Sequence, residues 1–232
     1  MTSGRKSRAR RHATVPPVGK QQGISTRAWL LGGGAVAAVV LVIVLVVVLT
    51  QGGSGGQTIG PEGIPIPTGP QLASAGTANG GQAIDGIQCN AGEQVAYHIH
   101  ARLTVFDNGN SRQIPYGIGI APPREVQQTP NGPFVVAGRC FYWLHTHAAD
   151  GIIHVESPTK RTYTLGNFFD VWHEPLGASR VGPLTGPVTA FLDGKIYAGN
   201  PRTIALQPHA QIQLDVGRPL VKPVSISNWN GL

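Results

Sequence analysis

The amino-acid sequence predicts a mostly β protein: a single antiparallel sandwich or small barrel domain with one short helix, preceded by one transmembrane helix and a disordered linker. Three observations predict it. An uncharged apolar run of bilayer length lies near the start and a Gly/Pro-rich tract follows. Beyond that tract, short runs rich in Val, Ile, Tyr and Phe alternate with Gly, Pro, Asn and Asp.

The 232-residue chain carries 18 Lys plus Arg against 11 Asp plus Glu, a formal net charge of +7. Taken whole, that excess suggests a nucleic-acid binder. Its distribution removes the suggestion: Arg5, Lys6, Arg8, Arg10, Arg11, Lys20 and Arg27 lie in residues 1–27 with no acid among them, and the remainder is balanced. No nucleic-acid partner is expected. With two Cys the chain is no disulfide-dense miniprotein, and with one long apolar run it is no polytopic membrane protein.

Residues 28–49 read AWLLGGGAVAAVVLVIVLVVVL. A helix of this length covers about 33 Å at 1.5 Å per residue, enough for a hydrocarbon core, and in lipid only a helix pairs every backbone group within the segment. Trp29 suits the headgroup layer. The basic side is the cytoplasmic side by the positive-inside rule, so residues 1–27 form a cytoplasmic tail and the C-terminal domain lies outside the cytoplasm, on a single-pass cell-membrane anchor. A cleaved signal peptide fits less well, because the apolar stretch is long and Thr50-Gln51-Gly52-Gly53 offers no A-x-A-like site.

Residues 50–83 are rich in Gly and Pro, carry the single charge Glu62, and show no apolar periodicity, so they read as a disordered spacer. The folded domain is expected over 84–232. Strands are expected near 95–106, 112–120, 133–137, 140–148, 152–156, 188–192, 195–198, 202–206 and 211–216. Asn108-Gly109, Asp150-Gly151 and Asp193-Gly194 are hairpin-turn dipeptides. Only LGNFFDVW at 165–172 looks helical, with Thr164 as N-cap and Pro175 beyond its end.

Five of the eight His sit in two places: His98-Ile99-His100, and His145-Thr146-His147 followed by His154 and Glu156. In a strand, residues i and i+2 share a face, so each pair projects together. If Asp150-Gly151 is a two-residue turn, His147 faces His154 and His145 faces Glu156. A longer turn with 148–151 all in the loop pairs His145 with His154 and leaves the face unchanged. Imidazole with carboxylate suits a divalent transition metal, zinc or copper foremost, and three protein ligands with an open position is a catalytic zinc pattern. His145, His147, His154 and Glu156 are the expected ligands, and His98 and His100 are expected as further ligands or a second site. Tyr97, Ile99, Leu103 and Val105 lie opposite the His face, and Phe141 and Trp143 are expected to extend the His row as an aromatic wall. His173 is a weaker candidate ligand, and His209 reads as an exposed loop residue. Set against the metal reading is a solvated polar sheet face with no ion.

Cys89 and Cys140, both in the segment placed outside the cytoplasm, are expected to form a disulfide. It would bring the lead-in to the His98 strand beside the start of the His145 strand. It also argues against a blue-copper centre, which needs a thiolate and usually an axial Met, whereas the only Met is Met1.

The stretch CFYWLHTHAADGIIHVESP at 140–158, with YTLGNFFDVW at 163–172, resembles a family of uncharacterised bacterial membrane-anchored extracytoplasmic proteins built around an HTHxxxGIIHxE core. The likeness spans about 90–220 and implies the extent of the domain, with no implied activity. Glu156 follows His147 too distantly for a cupin's HxHxxxE spacing. The arrangement of His-x-His on one strand with a third His on its neighbour has a geometric parallel in carbonic-anhydrase-like zinc sites.

The expected function is a membrane-anchored extracytoplasmic domain that binds a divalent transition metal through a His/Glu cluster, as carrier, sensor or metal-dependent hydrolase or lyase. The alternative is a metal-free cell-envelope interaction domain displayed on a stalk.

Overall fold

The structure, a computed structural model, describes residues 58–76 and 80–232, so the basic tail and the transmembrane helix expected within 1–49 lie outside the described residues. Among the described residues no helix is long and apolar enough to cross a membrane. In chain order the strands before the helix are β1 (Cys89–Asn90), β2 (Tyr97–Asp107), β3 (Asn110–Arg112), β4 (Glu125–Thr129), β5 (Gly132–Ala137), β6 (Phe141–Tyr142), β7 (Leu144–His145) and β8 (Ile152–Ser157). Helix α1 (Leu165–Trp172) follows, then β9 (Leu176–Gly177), β10 (Arg180–Val181), β11 (Leu184–Thr185), β12 (Val188–Leu192), β13 (Lys195–Tyr197), a 3-10 turn (Pro201–Thr203) and β14 (Gln211–Val216).

Seven strands form the main sheet, in the order β13-β12-β14-β2-β8-β7, with β3 also on β2. The mostly β class holds, but the sheet is not wholly antiparallel: β14 lies parallel to β2, with Ile212 opposite Leu103 and Leu214 opposite Val105. The chain leaves β2 and returns only at residue 211, and a long crossover permits a parallel neighbour where a tight turn cannot. β13 and β7 end the path unpaired with each other, so the sheet is no closed barrel.

Alternation divides the sheet. Ala101, Leu103, Val105, Ile153, Val155, Ile212 and Leu214 share one buried cluster with Phe168, Phe169 and Trp172 of α1. Thr164 caps α1 as its spacing implied: its hydroxyl accepts from the Asn167 N–H while the Asn167 side chain accepts from the Thr164 N–H. The helix ends at His173 in a left-handed conformation, two residues before Pro175.

The sheet's other face is polar yet covered. Gln211, Gln213 and Asp215, spaced by two along β14, hold the extended backbone that follows the strand. Ile226 N–H donates to Gln211 Oε1 at 2.6 Å, Val224 N–H to Gln213 Oε1 at 2.9 Å and Val221 N–H to Asp215 Oδ2 at 2.6 Å. Arg102 Nη2 donates to the Pro65 carbonyl at 3.2 Å, and Asn230 Nδ2 to the Glu62 carbonyl at 3.1 Å.

Those last contacts correct the domain boundary. Residues 58–76, expected as spacer, lie on the fold: Ile64 is fully buried, Leu72 joins the main core, and Leu72 N–H donates to the Gln113 carbonyl at 2.8 Å. Composition misled because a segment that lies on a sheet as a strap needs few apolar anchors and no periodicity.

Three strand expectations also change. The strand expected over 112–120 ends at Arg112, where Pro115 and the left-handed Gly117 and Gly119 prevent a continuous ladder. A Cβ on Gly119 would sit 2.1 Å from the Leu144 carbonyl oxygen, so only glycine lets this backbone run beside β7. The strand expected over 140–148 breaks at Trp143 and stops at His145, and 202–206 yields a 3-10 turn with Pro201 at its start and Asn200 Oδ1 accepting from Arg202 N–H. β4 and the small β9-β10-β11 sheet were not expected; β4 reads EVQQT, with no apolar alternation.

Replacing Ile64 by Ala removes side-chain volume from a fully buried position. The expected cost is about 2–5 kcal/mol in chemical denaturation, whereas a spacer residue would cost nothing measurable.

Candidate metal centre

The ladders on either side of β8 assemble the site. β2 pairs with β8 so that His100 lies opposite His154 and His98 opposite Glu156, while β7 pairs on the other edge with His145 opposite His154. Directly opposed residues point to one face, so His100, His154 and His145 form a row across three strands, with His98 and Glu156 beside it. This is the longer-turn register: the two-residue turn that would put His147 opposite His154 does not form. Thr146 explains it. Its hydroxyl accepts from Ile118 N–H at 3.1 Å and donates to the Pro115 carbonyl at 2.9 Å, drawing the chain off the ladder directly after His145. Gly151 closes the loop at φ +84°, where a Cβ would lie 2.2 Å from the Leu103 carbonyl oxygen.

All six expected ligands converge. Ligand atoms of His145, His147, His154 and Glu156 lie within 4.8 Å of one another, as do those of His98, His100 and His154, and both groups can hold a metal ion. All but His98 are buried. The Cys89–Cys140 disulfide is formed, and Cys89 pairs with Tyr142 on the short β1-β6 ladder. It brings Glu93 to the site, with Oε1 3.4 Å from His147 Nε2. Two residues expected nearby lie elsewhere. His173 is exposed at the end of α1, and Trp143 packs edge-on to Tyr163, its indole N–H donating to Asn90 Oδ1 at 2.7 Å. Phe141 does meet His145 edge-on, at 5.6 Å between centroids, and Phe134 rather than Trp143 completes the wall by stacking on His147 at 4.8 Å. His209 is an exposed loop residue, as expected.

Hydrogen-bond partners fix the tautomers. His145 Nδ1 faces the Tyr142 carbonyl at 2.9 Å and His147 Nδ1 faces the Val135 carbonyl at 2.6 Å. A carbonyl only accepts, so in each ring Nδ1 carries the proton and Nε2 presents a lone pair. Those two Nε2 atoms are 3.1 Å apart. Two nitrogens each about 2.0–2.1 Å from a tetrahedral zinc stand about 3.3 Å apart, so the spacing is that of two ligands on one ion. Glu156 Oε2, buried with no hydrogen-bond partner, lies 3.9 Å from His145 Nε2.

Two carboxylates were missed by sequence reasoning. Glu62, from the strap, accepts from His154 Nε2 at 2.7 Å, and Glu93, four residues beyond Cys89, reaches His147. The signal for Glu62 was its solitude, as the only charge in 51–83. That for Glu93 was its nearness to Cys89 across the disulfide.

Burial pushes the His100 imidazole down to about 3, helped by the neighbouring His154 and His98, and holds His145 well below the ordinary histidine value. Burial opposes charge on His154 too, but the Glu156 and Glu62 carboxylates overcome it and raise His154 to about 9. Burial and the Glu62 charge raise Asp150 to about 8. At neutral pH Asp150 is therefore protonated, and its proton can serve Glu62 Oε2, which otherwise has no partner.

A cleft of about 520 Å³ opens onto the cluster, with Glu62, Glu93, His98, Phe134, His147 and Leu232 in its lining. No protein-family model, no curated protein and no solved structure matches the chain.

The raised groups set a pH dependence for the metal-free protein. His154 stays protonated in the fold up to about pH 9 and Asp150 up to about pH 8, while the unfolded chain releases these protons near 6.5 and 3.9. The Asp150 contribution therefore falls as pH rises through about 4–8 and the His154 contribution through about 6.5–9. His100 and His145, neutral in the fold, oppose acidification below about 6.5. Denaturation of the metal-free chain is expected to show lower stability at pH 9.5 than at 6.5, with Glu62→Gln flattening that limb.

Proposed function

We propose that this protein is a single-pass, membrane-anchored extracytoplasmic domain that binds a divalent transition metal, zinc or copper, through His145, His147, His154 and Glu156 with His98 and His100 adjoining. One observation carries the reading: His145 and His147 turn bare Nε2 lone pairs toward each other at 3.1 Å while Glu156 Oε2 stays buried without a partner nearby. A proton on His147 could relieve the nitrogens and would leave the oxygen unsatisfied. A divalent ion satisfies all three.

The backbone carbonyls of Tyr142 and Val135 and the carboxylate of Glu62 orient the rings from behind, the outer-partner arrangement that metal-ligating histidines use. The cleft argues for an exchanging or reacting site over a sealed structural one. An ion bound here supplies Lewis acidity at the cleft. Phe134 stacked on His147 shields that ligand from water, and Glu93, at the partly exposed rim, is placed to accept a proton from an entering molecule. Carrier, sensor and metal-dependent hydrolase or lyase are the roles such a site serves.

The anchor at 28–49, the cytoplasmic tail at 1–27 and the extracytoplasmic placement rest on charge asymmetry, and a formed disulfide accords with an oxidising compartment. The membrane is the proposed partner, with no nucleic acid. The HTHxxxGIIHxE stretch is proposed to mark a family of such domains.

The full chain, prepared in detergent without a polyhistidine tag, is expected to bind at least one equivalent of Zn²⁺ and to melt higher when loaded. His147→Ala is expected to weaken zinc at least tenfold in competition with a chromophoric chelator. Below about pH 9, where His154 must lose a proton, affinity should climb about tenfold per pH unit. No bound metal and no thermal shift would instead favour the metal-free interaction domain.

A further inference from the structure

We propose that the cluster holds two metal ions bridged by the carboxylate of Glu156. The inference rests on the metal-binding reading above and adds stoichiometry and a partition of ligands.

Five imidazoles and a carboxylate are more donors than one zinc accepts, since four is its usual number. Their positions divide them. In the first set His98 Nε2 is 3.0 Å from His100 Nε2, which is 3.1 Å from His154 Nδ1. That atom is 3.3 Å from Glu156 Oε1, which returns to His98 Nε2 at 3.1 Å. Four donor atoms thus close a ring with every edge near the ligand spacing of a tetrahedral ion, about 3.3 Å. His154 belongs to this set because Glu62 engages its Nε2 at 2.7 Å, leaving Nδ1 as its ligand atom.

The second set lies across Glu156. His145 Nε2 and His147 Nε2 are 3.1 Å apart, Glu93 Oε1 is 3.4 Å from His147 Nε2, and Glu156 Oε2 is 3.9 Å from His145 Nε2. Glu156 therefore turns one oxygen to each set. Oε1 has His98 and His154 as neighbours, while Oε2 is buried with no hydrogen bond. An ion in the first set alone would leave that oxygen without a partner, and an ion in the second set alone would leave the first ring of donors without a cation, whereas a bridging carboxylate serves both. Two-metal centres hold their ions about 3.5–4 Å apart, a separation that one bridging carboxylate accommodates.

Charge permits the count. Glu62, Glu93 and Glu156 surround the cluster and offset three of the four positive charges that two divalent ions bring, and no Lys or Arg lines the cleft to add to the remainder.

The test uses the full chain in detergent, without a polyhistidine tag, stripped by chelation and dialysed against Zn²⁺ or Cu²⁺. Two equivalents per chain are expected by elemental analysis. The double variants His98→Ala/His100→Ala and His145→Ala/His147→Ala are each expected to retain one, with circular dichroism confirming that they fold. Loaded with Cu²⁺, the wild type should show magnetically coupled ions by electron paramagnetic resonance, with integrated spin below two per chain and a half-field transition, and Glu156→Gln should abolish the coupling. One equivalent in the wild type overturns the two-ion proposal and leaves the single-ion reading standing. Two uncoupled ions overturn the bridge. No bound metal overturns both readings.

Discussion

The site exists because β8 runs between β2 and β7 in fixed register. His154 has His100 opposite on one edge and His145 on the other, and no side-chain choice alone would bring those three rings into a row. Strand spacing of about 4.8 Å sets the rings' separation, and the two-residue period puts His98 and Glu156 on the same face. The remaining parts act on this frame. The disulfide ties β1 to the start of β6, Thr146 draws the chain away after His145, and the carbonyls of Tyr142 and Val135 select the tautomer of two rings.

Burying so many polar side chains requires partners, and the fold supplies them as backbone. Gln211, Gln213 and Asp215 each accept from an N–H of the segment after β14, so two amides and a carboxylate double as hooks for a strap. Arg102 does the same for the segment before β1 through the Pro65 carbonyl. Each such bond contributes about 1 kcal/mol net, while leaving its buried groups unpaired would cost more. The strap before β1 serves the site directly, because it delivers Glu62 to His154.

Much of this was legible in local pattern. The apolar alternation of Leu103, Val105, Ile153 and Val155 predicted the core face, Thr164 and Pro175 bracketed the helix, and the i,i+2 spacing of the histidines predicted a shared face whichever turn formed. The two-Cys count predicted the disulfide. What escaped was contact between segments distant in sequence and without periodicity. Glu62 lies ninety-two positions from His154, in a stretch whose composition matches a spacer. The parallel seat of β14 beside β2 depends on a crossover that no local dipeptide announces. Alternation along 211–216 tells which face Gln213 and Asp215 take and is silent on what covers that face, where both are buried.

The two faces of the sheet carry different burdens, and register couples them. The His/Glu face gathers neutral rings around one protonated imidazole, an unpartnered carboxylate oxygen and a carboxyl held protonated by burial, so without a cation its contribution to stability changes with pH. The pH-independent share comes from the opposite face, where Leu103, Val105, Ile153, Val155, Ile212 and Leu214 pack against α1. A one-residue slip of β8 would send Ile153 and Val155 into the cleft and His154 and Glu156 into the apolar core. Burying an imidazole and a carboxylate there without partners would cost several kcal/mol, on top of the lost apolar burial. The core thus penalises every register but one, and that register is the one that lines up the histidines.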